Sequence, residues 1–273
     1  MKPTNSIQNL FSLSNKNIIL TGSAGRLGTQ FAHFLTKAGA NVILVDIDYL
    51  KNKKLEANLK KNYKTNPKSY EIDISDQNEV KKFTSQIIKD YKTIHGLINN
   101  AFYSPRQNAE KAALPFEKFP IDLWNDMLNV NLTGVFLCCK EIGKVMVKQK
   151  SGVIVNISSI YGMVGADQRI YGKSRLNSSI SYATTKGGIV NMTRYLAAYW
   201  QNKNIRVNTL TLGGVLDTSY MTKEFIMNYE KKTMLGRMAK EVEYGPALLF
   251  LMSDASSYMT GANLVVDGGW TAW

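Results

Sequence analysis

The sequence is poor in the residues that build metal centres and covalent cross-links. Its 273 residues include only two cysteines, Cys138 and Cys139, and two histidines, His33 and His95. Neighbours on a helix point about 100° apart, so the two cysteines can neither bridge readily nor offer a paired metal site. They read as buried thiols in a reducing compartment. The histidines lie far apart in sequence without ligand-spaced companions, which leaves metal catalysis unsupported. No run of about 18 apolar residues exists, and no N-terminal apolar stretch has the length of a signal peptide. The expectation is a cytoplasmic protein with no membrane partner. Internal repeats, low-complexity tracts and Pro/Gly/Ser linkers are also missing, and the length suits one doubly wound α/β domain.

Acidic residues are the minority charge: 34 Lys+Arg against 21 Asp+Glu give a formal +13. A basic balance raises nucleic acid as a partner. Here the lysines are scattered. The densest stretch, 51–64, carries Leu55 and Leu59 at helical spacing beneath it and no basic–aromatic stripe, so it reads as the solvated face of one helix. No nucleic-acid partner is expected. An anionic small substrate stays compatible with the charge.

Two periods alternate along the chain. Short apolar runs at 17–20, 42–45, 70–72, 97–98, 153–157, 205–210 and 264–266 predict strands. Helical spacing predicts helices over 27–38, 51–63, 80–91, 123–147, 182–200 and 242–252. Short apolar strands each followed by a helix imply a parallel sheet covered on both faces, a three-layer, doubly wound, Rossmann-type α/β fold in a single domain. Ligands of such sheets sit outside the carboxyl ends of the strands, so special residues should follow strands.

They do. After the first strand comes Thr21-Gly22-Ser23-Ala24-Gly25-Arg26-Leu27-Gly28, whose glycines let the backbone turn tightly against a pyrophosphate held by a helix N-terminus. Asp46 follows the second strand, roughly twenty residues on. An acid there accepts hydrogen bonds from both ribose hydroxyls and repels a 2′-phosphate, which favours NAD. Asp48 is an alternative for that part, and Arg26 or the lysines after Leu50 would accommodate NADP. Asp73-Ile74 after the third strand suits an adenine amine. Asn99-Asn100-Ala101 follows the fourth strand and Ser158-Ser159 the fifth. Tyr182 and Lys186, four apart, share one helical face. A free phenol titrates near ~10, and a neighbouring ammonium lowers that value. The pair is then fit to exchange a proton with a hydroxyl as hydride leaves or joins its carbon.

In this order, together with Asn129-Val130-Asn131-Leu132, Arg206-Val207-Asn208 and Val266-Asp267-Gly268-Gly269, these motifs resemble the short-chain dehydrogenase/reductase family over nearly the whole chain. The resemblance implies a tetrad: Asn131 holding a water and positioning the lysine, Ser159 bonding the substrate oxygen, Tyr182 as acid/base, and Lys186 binding the nicotinamide ribose and lowering the tyrosine pKa. It implies a cofactor site from Gly22, Ser23, Gly25, Arg26, Leu27, Asp46, Asp73, Ile74, Asn100, Ala101, Tyr182, Lys186, Gly213 and Val215. It also implies a homotetramer or homodimer, with Trp270 and Trp273 as candidate interface anchors. Arg26, Phe102 and Leu212 stand where the family usually has glycine, glycine and proline.

From Ser159 to Tyr182 is 23 residues, longer than the family's usual spacing, so 160–181 reads as an insert at the active-site mouth. It carries Asp167, Gln168, Arg169, Tyr171, Lys173 and Arg175, which suit a hydroxyl-rich or anionic substrate. Segment 216–240 reads as a substrate lid. The insert and the ending Asp267-Gly268-Gly269-Trp270 resemble a subgroup found with flagellin modification and sialic- or legionaminic-acid-type pathways. That resemblance implies a sugar or sugar-phosphate alcohol as substrate. A keto-acyl or small alicyclic substrate, or a cofactor-sensing protein without turnover, are the alternatives.

Overall fold

The structure, a computed structural model, describes residues 6–104, 109–174 and 176–273. A short helix α1 (Ile7–Leu10) precedes an alternating series: β1 (Asn17–Thr21), α2 (Arg26–Lys37), β2 (Asn41–Asp46), α3 (Tyr49–Asn62), β3 (Lys68–Glu71), α4 (Gln77–Tyr91) and β4 (Gly96–Asn99). Then follow α5 (Ala109–Ala112), α6 (Ile121–Leu128), α7 (Val135–Gln149), β5 (Gly152–Ser159), α8 (Ile180–Tyr199), β6 (Ile205–Leu212), α9 (Lys223–Glu230), α10 (Gly245–Met252) and β7 (Asn263–Val266). The seven strands form one parallel sheet in the order β3-β2-β1-β4-β5-β6-β7.

Side chains alternate across each strand, so one apolar strand feeds two cores. Ile18, Leu20, Val42 and Leu44 pack with Phe31 and Leu35 of α2 and Leu248 and Leu251 of α10 on one face. Ile19, Ile43 and Val45 pack with Phe83 and Ile87 of α4 and Ile142 and Met146 of α7 on the other. The chain winds outward from β1 to β3, then returns to place β4 on the far side of β1. The crevice of such a sheet opens at that reversal, beyond the carboxyl ends of β1 and β4.

The long helix expected over 123–147 is interrupted. Residues Asn129–Gly134 form a π-helical turn between α6 and α7. Apolar spacing cannot separate an i+5 turn from an i+4 one, which is why the sequence reads as continuous. The turn presents Asn131 to the backbone of Tyr103, accepting from its N–H at 2.7 Å and donating to its carbonyl at 3.2 Å. Gly134 meanwhile admits Ile74, whose side chain would lie 2.8 Å from an added Cβ. Such turns concentrate at functional sites.

Trp270 is also not an interface anchor. It is buried in its own chain, stacked on Tyr229 at 4.2 Å, whereas Trp273 is exposed.

The turn after β1 is the tightest joint in the fold. A Cβ on Gly28 would stand 2.0 Å from the Gly22 carbonyl oxygen. Gly28→Ala should therefore cost about 1–3 kcal/mol, lowering the melting temperature by several degrees. Gly165→Ala, where a methyl meets nothing within 4 Å, should leave it unchanged in the same thermal scan.

Candidate active site

A cavity of about 950 Å³ runs along the carboxyl ends of β1, β2 and β4. Its floor is the turn after β1. Gly22 has φ +65°, and a Cβ there would lie 2.6 Å from the Ala101 Cα, so glycine is needed both for the left-handed backbone and for the close approach. The loops after β1 and β4 are laced together. Thr21 Oγ1 accepts from the N–H groups of Asn100 and Ala101, both at 3.1 Å, and Asn100 Nδ2 donates to the Thr21 and Gly22 carbonyls at 3.1 and 3.0 Å. Gly25 precedes α2 and no side chain caps that helix. The first-turn amides are left for an anion, and the glycine cradle leaves it room. The residues present thus fit a dinucleotide.

Asp46 ends β2 with its carboxylate fixed by two backbone donors, Ala24 N–H and Asp48 N–H, each at 2.9 Å. Asp48 faces the same cavity but caps α3 through Lys51 N–H at 3.0 Å and pairs with the Lys51 ammonium at 2.8 Å. Both acids line the cavity, and Asp48 is the one paired with a cation. Asp73, Ile74, Leu27, Gly213 and Val215 line it as well, with Asp73 turned onto Ser75 N–H at 2.8 Å and Ser75 Oγ at 2.7 Å.

Two expected cofactor residues are placed differently. Ser23 is fully buried and points away, its hydroxyl 2.7 Å from Asn52 Oδ1 and 3.2 Å from the Val45 carbonyl. A hydroxyl under α3 must find partners in the core, so Ser23 braces the turn. Arg26 borders the cavity, but its guanidinium is engaged by Asp217 at 3.1 Å and by Glu241.

At the far end stand Tyr182 and Lys186. Ser179 caps α8 by accepting from Tyr182 N–H at 3.4 Å, which places the phenol in the first turn. Lys186, one turn on, is buried, and its ammonium donates to the Ile157 carbonyl at 2.9 Å. It lies 5.4 Å from the Phe102 ring centroid and 5.9 Å from that of Tyr182. The two serines divide the work. Ser158 Oγ donates to the Lys186 carbonyl at 3.0 Å, bracing β5 to α8. Ser159 is the hydroxyl bonded to the phenol. Asn131, expected to position the lysine, is spent on Tyr103.

In the protein alone the Tyr182 phenol is pushed up by burial, with the Ser159 hydrogen bond pulling the other way. Burial lowers Lys186 itself to about 8.

A second, smaller cavity of about 240 Å³ adjoins the phenol. Phe102, Tyr161, Tyr171, Tyr220 and Phe225 wall it, with Ser104, Ser174, Asn177, Ser178 and Thr222 between them. Insert 160–181 supplies much of this wall, but not through the charged residues expected to face the mouth. Asp167 pairs with Arg169 at 2.8 Å and with Lys232, outside the lining. Arg175 lies outside the described residues. Tyr171 instead packs on Phe225 of α9 at 5.1 Å, and Asn228 Nδ2 donates to the Ile170 carbonyl at 3.3 Å. Phe102, Tyr161 and Tyr103 carry no motif of their own, and only the position of Phe102 next to Asn-Asn-Ala could have singled it out.

A family model described as enoyl-(acyl carrier protein) reductase matches residues 22–271. The post-translational flagellin modification protein A of Campylobacter coli is 30% identical over 94% of this chain and 99% of its own length. An NAD-dependent glycerol dehydrogenase of Listeria innocua is 29% identical, with 96% of both chains covered. A short-chain dehydrogenase from Leptospira borgpetersenii, solved with bound NAD+, is 31% identical and superposes with a TM-score of 0.83 over 99% of this chain and 98% of its own.

Burial lowers the Lys186 pKa from 10.5 to about 8. Across that window the unfolded chain binds the proton more tightly, so stability rises with pH. Lys186→Met, which has nothing to titrate, should be more stable than the wild type below pH 8, with an advantage that shrinks as pH climbs toward 10.5. Melting temperatures of the two proteins across the pH range check this.

Proposed function

The chain belongs to the short-chain dehydrogenase/reductase family and is an oxidoreductase of it; from that premise we propose that it interconverts a secondary alcohol and a ketone with NAD(P), on a sugar or related polyhydroxylated substrate. The observation that carries this reading is that Tyr182 lines both cavities, the long glycine-floored one and the small aromatic one. A proton at its hydroxyl is therefore within reach of whatever fills either.

The nicotinamide cofactor supplies the hydride acceptor in oxidation and the donor in reduction. The chain supplies the rest. Gly22, Gly25, Leu27, Asn100 and Ala101 shape the turn that takes the diphosphate, Asp73 and Ile74 border the adenine end, and Gly213 and Val215 the nicotinamide end. Asp46 would accept hydrogen bonds from the ribose hydroxyls and repel a 2′-phosphate, which favours NAD over NADP. In oxidation Tyr182 takes the proton of the substrate hydroxyl, and in reduction it returns one to the carbonyl oxygen. Ser159 steadies that oxygen. Lys186 would hold the nicotinamide ribose and, as a cation beside the phenol, favour the phenolate. Asn131 acts through Tyr103, fixing the strand-end backbone beside the ring.

Aromatic faces interleaved with hydroxyl and amide groups suit a compact polyhydroxylated molecule, whose C–H faces lie on the rings while its hydroxyls find partners. The Listeria relative, named a glycerol dehydrogenase, supports a polyol-like substrate, and the Campylobacter relative is named for flagellin modification. In this reading the protein works in the cytoplasm as a homodimer or homotetramer, with insert 160–181 as outer wall and 216–240 as lid. No helix of the described residues is long and apolar enough to cross a membrane.

Tyr182→Phe should lower kcat by ~10²–10⁴ while NADH still binds, read by fluorescence titration and steady-state turnover. The turnover screen should include neutral sugars and polyols, sugar phosphates and a 3-oxoacyl thioester. Turnover of the thioester alone would overturn the sugar reading, and a Tyr182→Phe protein with wild-type kcat would overturn the acid/base assignment.

A further inference from the structure

Arg26 is the first residue of α2, yet its side chain leaves the turn it belongs to. The guanidinium pairs with Asp217 at 3.1 Å and with Glu241, and donates to the Leu216 carbonyl. Leu216 and Asp217 begin the excursion that runs from β6 to α10, and Glu241 ends it. The two legs of that excursion also meet in a short parallel bridge between Val215 and Ala239, where Leu216 N–H donates to the Ala239 carbonyl at 2.9 Å and Ala239 N–H to the Gly214 carbonyl at 3.1 Å. One arginine therefore ties both feet of the lid to the turn that floors the larger cavity.

We propose that Arg26, Asp217 and Glu241 form a clasp that holds segment 216–240 down beside the cofactor's diphosphate, and that this clasp sets how long the dinucleotide stays bound. The proposal rests on the NAD(P) reading above and gives Arg26 a positioning role. A planar guanidinium satisfies two carboxylates and a carbonyl at once, which a lysine cannot match. The cavity is bordered by Arg26 and Asp217 together, so a dinucleotide leaving past the lid must part them. Removing Arg26 also leaves two carboxylates facing an anionic ligand. The arginine side chain is 36% exposed, so dissolved salt reaches and screens the pairs.

The test is stopped-flow displacement of NADH from the wild type, from Arg26→Gln, and from Asp217→Asn/Glu241→Gln, which keeps the arginine. Both variants should release NADH about three- to tenfold faster, the size expected of a few partly exposed ion pairs. Wild-type release should quicken with ionic strength and that of Arg26→Gln should not. In the cofactor-free protein, hydrogen exchange at the amides of Leu216, Tyr220 and Met221, which are bonded to Ala239 and Asp217 carbonyls, should speed up in both variants. Unchanged release in both variants, or faster release with exchange over 216–221 unaltered, overturns the clasp. A wild type that binds neither NADH nor NADPH overturns the NAD(P) reading instead.

Discussion

A lysine ammonium buried beneath a tyrosine ring, with a single backbone carbonyl as its hydrogen-bond partner, is the constraint around which the rest of the site is arranged. An ammonium in such a place is costly unless partners surround it. Here the Ile157 carbonyl accepts from it at 2.9 Å and two aromatic faces lie within 6 Å. Those partners are themselves held. Ile157 belongs to β5, in register with β4 and β6. Ser158 ties that strand to the lysine's own carbonyl. Phe102 follows the Asn100-Ala101 joint, laced to Thr21. The π turn places Asn131 to grip the backbone of Tyr103. Each of these features fixes a wall around Tyr182 and Lys186.

The same burial explains why the pair is poised rather than active in the protein alone. Desolvation opposes charge on both groups, raising the phenol and lowering the ammonium. The chain thus provides a proton-carrying group and a cation next to it in low dielectric, where small rearrangements of the ammonium have large electrostatic effect. The cavities on either side of the phenol are built by different means. The larger rests on glycine geometry and backbone hydrogen bonds at the sheet reversal. The smaller is walled by side chains of the insert and of α9, packed on each other through Tyr171, Phe225 and Tyr229.

Much of this was legible in the sequence because it repeats at fixed spacing. Apolar runs gave the seven strands to within a few residues, glycines marked the turn after β1, and the family resemblance pointed to Tyr182 and Lys186, which share a helical face. What was not legible depends on pairings between distant segments. Ser23 sits among cofactor residues in sequence yet bonds into the core beneath α3. Asp167 and Arg169 read as mouth residues, but an acid and a base so near each other pair first. Arg26 reads as a phosphate ligand until two acids roughly two hundred residues away are brought to it. The π turn that presents Asn131 escaped for a different reason, since the apolar pattern of an i+5 turn embedded in helix is that of the helix itself.

The central claim is that burial holds the Tyr182 phenol up in the protein alone. Ultraviolet difference titration of tyrosinate, wild type minus Tyr182→Phe without cofactor, reads that one phenol directly. The account predicts a midpoint above the ordinary phenol value of about 10. A midpoint at or below it would mean that Lys186 already holds Tyr182 toward phenolate, and would contradict the account.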